Sequence, residues 1–200
     1  MSNYIFIFDL DSTITKKEIL PEISKKINKL EEMRYLTEAT MQGEIPFRSS
    51  FIQRVEILSN TSVKEVNGIV TSIPLNNSIA EFIRINKNRC YVVTGNLDIW
   101  ISGLLLKIEM ENHTYCSKAD VINDRISKIV SVVDKELVAK QFVQPMVVIG
   151  DGDNDAGMCQ TADISIGFGG VRNVAPALLS NCDFAFFDDK RCADFLWKML

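Results

Sequence analysis

Apolar runs and helical stripes alternate along this chain in an order that predicts its architecture. Residues 4–9 open with a dense aromatic and β-branched run, Tyr4-Ile5-Phe6-Ile7-Phe8, and end on Asp9, which reads as a buried strand. The pattern then turns helical. Ile19, Ile23, Ile27 and Leu30 recur at helical spacing. A second helical segment covers 31–41 and is punctuated by Gly43 and Pro46. A third is predicted from Pro46, a residue favoured at the first helical position, with Phe47, Phe51, Val55 and Leu58 on one stripe. A short fourth follows Ser62. Beyond Pro74 the spacing predicts helix 76–87, strand 90–94, helix 97–107, a hairpin within 114–133 turning at Asn123-Asp124, and helix 134–143. Strand 146–149, a short helix 153–160, strand 163–167, helix 173–180, strand 183–187 and a terminal helix complete the series. Strands alternating with helices predict an α/β fold, a doubly wound, mostly parallel sheet covered on both faces. The helical stretch predicts a small all-helical cap over 14–74, inserted into a core made of 1–13 and 75–200.

Composition narrows the class. A chain of 200 residues suits one domain with an insert, against roughly 150 residues per domain. Hydrophobic content of 46% supports a sizeable core. Net charge is −4 with no basic stripe, which argues against nucleic acid and membrane surfaces as partners. No apolar run approaches the ~18 residues of a membrane span, and the opening residues lack a basic leader. Cys90, Cys116, Cys159, Cys182 and Cys192 are odd in number and show no C-x-x-C spacing. They read as reduced thiols, so a cytoplasmic location is expected.

Candidate chemistry clusters where strands end. Asp9 and Asp11 close the first strand, two positions apart, so both face one spot beyond its C-terminal edge. Open α/β sheets place their sites there. Two like charges so close need a metal, a proton or a cation to offset them. Gly150-Asp151-Gly152-Asp153-Asn154-Asp155 follows another apolar strand and forms an oxygen-rich loop suited to Mg²⁺. Asp153 and Asp155 can also serve as helix caps, which leaves Asp151 the preferred ligand. Thr94 at the end of a third strand, with Gly95 opening a helix, can hold an anion through the hydroxyl and backbone N–H groups, or Thr94 can simply cap that helix. Lys135 opens the helix before the Asp151 strand, with Lys140 as a competitor on the same helix. Each of these lies at the same edge of a parallel sheet.

In this order the motifs resemble the haloacid dehalogenase superfamily of phosphotransferases. Asp9, Asp11 and Thr13 match D-x-D-x-T; Thr94 matches the hydroxyl motif, Lys135 the lysine, and Gly150 to Asp155 the loop G-D-G-x-N-D. Within the superfamily the chain looks most similar to phosphoserine phosphatases, with Glu18, Met41, Phe47 and Arg54 in the pattern of their cap. The resemblance implies a Rossmann-like core and Mg²⁺ held by Asp9, Asp151 and the main-chain carbonyl of Asp11. It implies Asp9 as nucleophile, Asp11 as acid and base, and Lys135 and Thr94 as catalytic partners. Thr94, Gly95 and Asn154 would hold phosphate, and Asp155 would orient Lys135 or metal-bound water. Glu18 would read a substrate ammonium and Arg54 a carboxylate, beside Met41 and Phe47. Independently, Arg54 lies seven residues past Phe47, within about 20° of the same helix face.

The implied activity is Mg²⁺-dependent hydrolysis of a small phosphorylated metabolite through an aspartyl phosphate. O-phospho-L-serine leads, as in serine biosynthesis, and the enzyme would be a monomer or homodimer. Phosphohomoserine, phosphoethanolamine and sugar or ketone phosphates are the alternatives, because Asn96 stands where the family often has glycine and the 100–135 stretch is short. A non-catalytic receiver-like module is disfavoured by the early D-x-D and the late acidic loop. Dehalogenation is disfavoured because it has no need of Asp11. Gly167-Phe168-Gly169-Gly170 reads as a turn, since Arg172 breaks the dinucleotide pattern. His113 lies outside every motif.

Overall fold

The computed structural model describes residues 3–200, so the first two positions of the expected 1–13 segment lie outside the described residues. Seven strands form one sheet: β1 (Ile5–Phe8), β2 (Cys90–Leu97), β3 (Thr114–Ile122), β4 (Arg125–Ser131), β5 (Met146–Gly150), β6 (Ile164–Phe168) and β7 (Phe184–Phe186). Their order is β4-β3-β2-β1-β5-β6-β7. Among the described residues these strands pair in parallel except at the β3–β4 hairpin. Phe8 pairs with Val92 on one side and Ile149 on the other. The chain runs from β1 outward through β2, β3 and β4 on one side, then crosses to β5, β6 and β7 on the other, so the strand order switches beside β1, where open sheets form a crevice.

Alternation along β1 divides the core. Phe6 and Phe8 belong to one cluster with Phe82, Trp100 and Leu104, while Ile5 and Ile7 belong to the other with Val148, Met158 and Leu178. Both faces of the strand are covered, so it is apolar throughout rather than alternating with polar residues. Each fully buried side chain of this size contributes about 1.5–3 kcal/mol.

The first cluster lies beneath α1 (Ile19–Ser24), α4 (Val63–Thr71), α5 (Asn77–Ile85), α6 (Asp98–Lys107) and α10 (Asp189–Trp197). The second lies beneath α7 (Lys135–Ala139), α8 (Ala156–Gln160) and α9 (Pro176–Leu179). The apolar face of α10 packs inward, with Leu196 buried and Trp197 edge-on to Phe82 at 5.0 Å.

Helices α1, α2 (Leu30–Met41), α3 (Phe47–Leu58) and α4 fill the stretch between β1 and α5. Pro46 precedes α3 as its cap residue, not its first helical residue. The Ser62 hydroxyl caps α4 by accepting from Glu65 N–H at 3.1 Å. The hairpin tip reaches the same place: Asp124 accepts from Ser62 Oγ at 2.5 Å and from Lys64 N–H at 3.1 Å. Asn123 and Asp124 both take positive φ, 50° and 60°, as a two-residue hairpin turn requires.

Two helix boundaries differ from the sequence expectation. Helix 134–143 shortens to α7, started by Asp134 accepting from Leu137 N–H at 3.0 Å. Helix 173–180 shortens to α9, because Ala175 N–H is taken by the Asp151 carbonyl at 2.8 Å. The five cysteines are free thiols. No helix among the described residues is long and apolar enough to cross a membrane.

Candidate active site

Beyond the ends of β1, β2 and β5 lies a cavity of about 50 Å³, room for only a few waters. Asp9 forms its floor. Its N–H bonds to the Ile149 carbonyl at 2.8 Å, so the β1 ladder continues one residue past the strand and fixes the side chain. The chain then turns sharply through Ser12, a buried non-glycine residue at φ 62°. Such a conformation costs free energy and persists where the surroundings enforce it. Here Ser12 N–H is held by Thr15 Oγ1 at 3.0 Å. The turn returns Asp11 to the cavity, where its Oδ1 accepts from Ile19 N–H at 2.9 Å, the opening residue of α1.

β5 delivers the second acidic group. Asp155 folds back over Gly150 and accepts from the N–H groups of Asp151 and Gly152 at 3.0 and 2.9 Å. A Cβ on Gly150 would lie 2.5 Å from Asp155 Cγ, so glycine is required for that approach. The other Asp155 oxygen accepts from Lys135 Nζ at 2.6 Å, and the same ammonium donates to Asp9 at 2.5 Å. Lys135 is buried while Lys140 is exposed on Glu136 at 2.5 Å, so of the two lysines it is Lys135 that lies against Asp9 and Asp155.

Charge in this cluster is unbalanced. Asp9, Asp11, Glu18, Asp151 and Asp155 share the region with Lys135, Arg54 and Arg172, so five carboxyls face three cations. Burial, reinforced by Asp155 and Asp151 against the pull of Lys135, pushes the Asp9 carboxyl up to about 8. Burial, with Asp155 and Asp11 nearby, raises Asp151 to about 7 although Arg172 opposes it. Burial and the Glu18 charge raise Asp11 to about 7. For Lys135 burial disfavours the charge, but Asp155 and Asp9 outweigh it and hold the ammonium charged.

A divalent cation fits this deficit. Carboxylate oxygens of Asp9, Asp151 and Asp155 lie within 4.8 Å of one another. Asp151 Oδ1 is buried with no hydrogen-bond partner, an arrangement that is costly unless something else binds there. Asp155 has its oxygens committed to Lys135 and the loop N–H groups. Asp9 and Asp151 each use only one oxygen in their ion pairs, to Lys135 and Arg172, so these two carboxylates could hold an ion.

The opposite wall comes from α2 and α3. Arg54 is buried, and its Nε and Nη1 make only long bonds, to the Ser50 carbonyl at 3.3 Å and Thr37 Oγ1 at 3.4 Å. Among the described residues no carboxylate pairs with it. Burial pulls its guanidinium down to about 10, Asp11 acting the other way. Phe47 stacks on Phe51 at 5.6 Å and lies over Gly95 so closely that a Cβ there would collide with its ring.

Asp9, Asp11, Glu18, Met41, Phe47, Arg54, Thr94, Gly95 and Asn154 all line the one cavity. Lys135, Asp151 and Asp155 join it through the ion-pair network. Two features differ from the sequence reading. Thr94 and Gly95 lie within β2, which runs on to Leu97, so Gly95 does not open a helix. The Thr94 hydroxyl instead accepts from Asn96 N–H at 3.3 Å and Asn96 Nδ2 at 3.1 Å. Arg172 marks only a break in a glycine pattern along the sequence, yet in the fold it donates to both Asp151 and Glu18 at the cavity wall. A cation just after a strand that ends at the same sheet edge is the local signal for it.

Comparison with known proteins bears on the same region. A family model described as haloacid dehalogenase-like hydrolase matches residues 5–163. The phosphoserine phosphatase of Archaeoglobus fulgidus is 28% identical, over 82% of this chain and 52% of the relative, so the chain spans about half that protein's length. That of Idiomarina loihiensis is 27% identical over 92% of this chain and 88% of its own. A solved structure described as a phospho-aspartyl intermediate analogue of phosphoserine phosphatase superposes with a TM-score of 0.83 at 22% identity, covering 98% of this chain and 99% of that one.

Proposed function

The chain belongs to the haloacid dehalogenase-like hydrolases, and on that footing we propose that it is a divalent-metal-dependent phosphatase of small phosphate monoesters, with O-phospho-L-serine as preferred substrate. One observation carries the reading: a buried Asp9, held by Lys135 at 2.5 Å, faces a narrow cavity whose far wall is a guanidinium with no carboxylate partner among the described residues. The similarity to phosphoserine phosphatases supports the choice of substrate.

The physical problem is the approach of a phosphate dianion to a carboxylate. At ~4 Å two unit charges repel by roughly 1 kcal/mol in water and about 4 kcal/mol near a protein surface. Asp9 and Asp151, with the Asp11 main-chain carbonyl, would hold Mg²⁺, which when bound supplies the charge neutralisation that phosphoryl transfer requires. Lys135 keeps Asp9 aligned and adds a fixed positive charge beside it. Asp9 attacks phosphorus in line, the P–O bond to the substrate oxygen breaks, and an aspartyl phosphate forms. Asp11, poised near neutrality by burial, gives its proton to the departing alkoxide. It then accepts one from the water that hydrolyses the intermediate. Thr94, Gly95 and Asn154 position the non-bridging phosphate oxygens. Arg54 takes the substrate carboxylate, Glu18 its ammonium, and Met41 and Phe47 close over the rest. Residues 14–74 act as the cap, since a cavity of about 50 Å³ must open to admit a phosphate ester.

The test is a panel of phosphate monoesters assayed with Mg²⁺ and with a chelator. Turnover that requires the metal and favours phosphoserine over phosphoethanolamine and sugar phosphates is expected. Metal-dependent turnover without preference for a free carboxylate would keep the phosphatase and remove phosphoserine. Absence of multiple turnover on every ester would favour a binding module.

A further inference from the structure

Arg172 occupies an unusual position. It stands at the middle of the segment between β6 and α9, which is tied down by Gly169 N–H to the Phe186 carbonyl and by Ala175 N–H to the Asp151 carbonyl, both at 2.8 Å. From there its Nε donates to Asp151 Oδ2 and its Nη1 to Glu18 Oε1. Asp151 is thereby half satisfied: one oxygen carries the guanidinium, and the other is buried with no partner. The pair Arg172–Glu18 also forms a shared wall. On one side is the inner cavity and on the other an outer groove of about 470 Å³ bordered by Arg34, Glu38 and Gln42.

We propose that Arg172 is an internal counterion for Asp151 that competes with the divalent cation, so that this arginine sets how tightly the metal is held. The proposal rests on the assignment of Asp151 as a metal ligand. A carboxylate has two oxygens but one charge. A guanidinium on one oxygen draws electron density and electrostatic potential away from an ion on the other, and the ion in turn repels the guanidinium. Both cannot hold Asp151 at full strength. In the metal-free protein Arg172 stabilises a carboxylate that would otherwise be buried and unpaired. As the cation arrives, Arg172 weakens its bond to Asp151 and keeps the one to Glu18. Metal loading is thereby linked to the residue pair that separates the inner cavity from the outer groove. Arg172 is in this sense a positioning residue, acting through Asp151 and Glu18.

Isothermal titration of the full chain with Mg²⁺ alone, without substrate, tests this directly. Arg172→Ala is expected to bind Mg²⁺ about ten-fold more tightly than the wild type, a factor of the size set by one weakened ion pair. Arg172→Lys should fall between the two, because an ammonium is a point charge and cannot span Asp151 and Glu18 as the planar fork does. Its retained charge also supports folding if the alanine variant is unstable. Unchanged or weaker Mg²⁺ binding in both variants overturns the proposal, and a merely structural role would give that loss. Asp151→Asn serves as the control. If it abolishes Mg²⁺ binding while the Arg172 variants bind like the wild type, the counterion idea fails and the metal assignment stands. If Asp151→Asn binds Mg²⁺ normally, the metal assignment itself is wrong.

Discussion

The two walls of the cavity treat buried charge in opposite ways. On the strand side Lys135 sits between Asp9 and Asp155 at 2.5 and 2.6 Å, and Asp155 is further anchored by two loop N–H groups. On the helical side Arg54 is equally buried but makes only bonds of 3.3 and 3.4 Å to a carbonyl and a hydroxyl. On the strand wall the cation is fully paired, and the buried groups left without a partner are Asp151 Oδ1 and the hydroxyls of Ser12 and Thr13 in the turn. On the helical wall, among the described residues, the cation has no anion. A wall whose cation is already paired suits chemistry common to many substrates, since that cation does not wait on the substrate's identity. A wall with an unpaired guanidinium suits recognition of an anionic group that only the right substrate brings.

If that division is correct, substitutions on the strand wall should abolish chemistry for every substrate, whereas those on the helical wall should discriminate among substrates. The largest effect is expected for Asp9→Asn, with a loss of kcat of roughly 10⁴-fold or more on every ester and an unchanged circular dichroism spectrum. Retained turnover would end the nucleophile assignment. Asp11→Asn comes next, at about 10²–10⁴-fold in kcat, slowing both formation and hydrolysis of the intermediate in rapid-quench experiments. Normal release of alcohol by that variant would leave Asp11 without its role. Arg54→Ala should raise KM for phosphoserine by about 30-fold or more while barely changing KM for an aryl phosphate. Equal effects on both would erase the distinction between the walls.

Two smaller effects sharpen the comparison through stability. Asp9 is raised from 3.8 to about 8 and Asp151 from 3.8 to about 7, chiefly by burial. Between those values the metal-free folded chain binds more protons than the unfolded chain. Its stability is therefore full at low pH and falls as pH rises toward about 8. A bound cation requires the ionised carboxylates and removes that penalty. The gap in Tm between Mg²⁺-loaded and chelator-treated protein should widen from about pH 5 to about pH 8, and a constant gap would contradict the strand-wall account. Least of all, Asp124→Ala removes the hairpin's hold on Ser62 and Lys64. It should lower the denaturant midpoint slightly and leave kcat unchanged, since it touches neither wall.

How much of this is legible in sequence follows the range of the forces involved. The strands at 5–8 and 146–150 are plain because both faces are buried, and a continuous apolar run of four or five residues between polar stretches suits little besides a central strand. The D-x-D turn and the acidic loop are legible because both follow such runs. The end of β2 is not: Gly95 suggests a helix start, but pairing with β3 carries the strand on to Leu97. Nothing local distinguishes the buried Lys135 from the exposed Lys140; the choice is made by Asp9, 126 positions away in the chain. Arg172 is the clearest case. Its partners Asp151 and Glu18 lie 21 and 154 positions away, and only the closed fold brings them together.

The central claim, that Asp9 makes the bond to phosphorus, is tested most directly by mixing the protein with ³²P-labelled phosphoserine and Mg²⁺, quenching in acid and mapping the labelled peptide. The label is predicted on Asp9, appearing and decaying at rates compatible with turnover. Full product formation with no labelled protein, or a label on Asp11 or Asp151, would contradict the account.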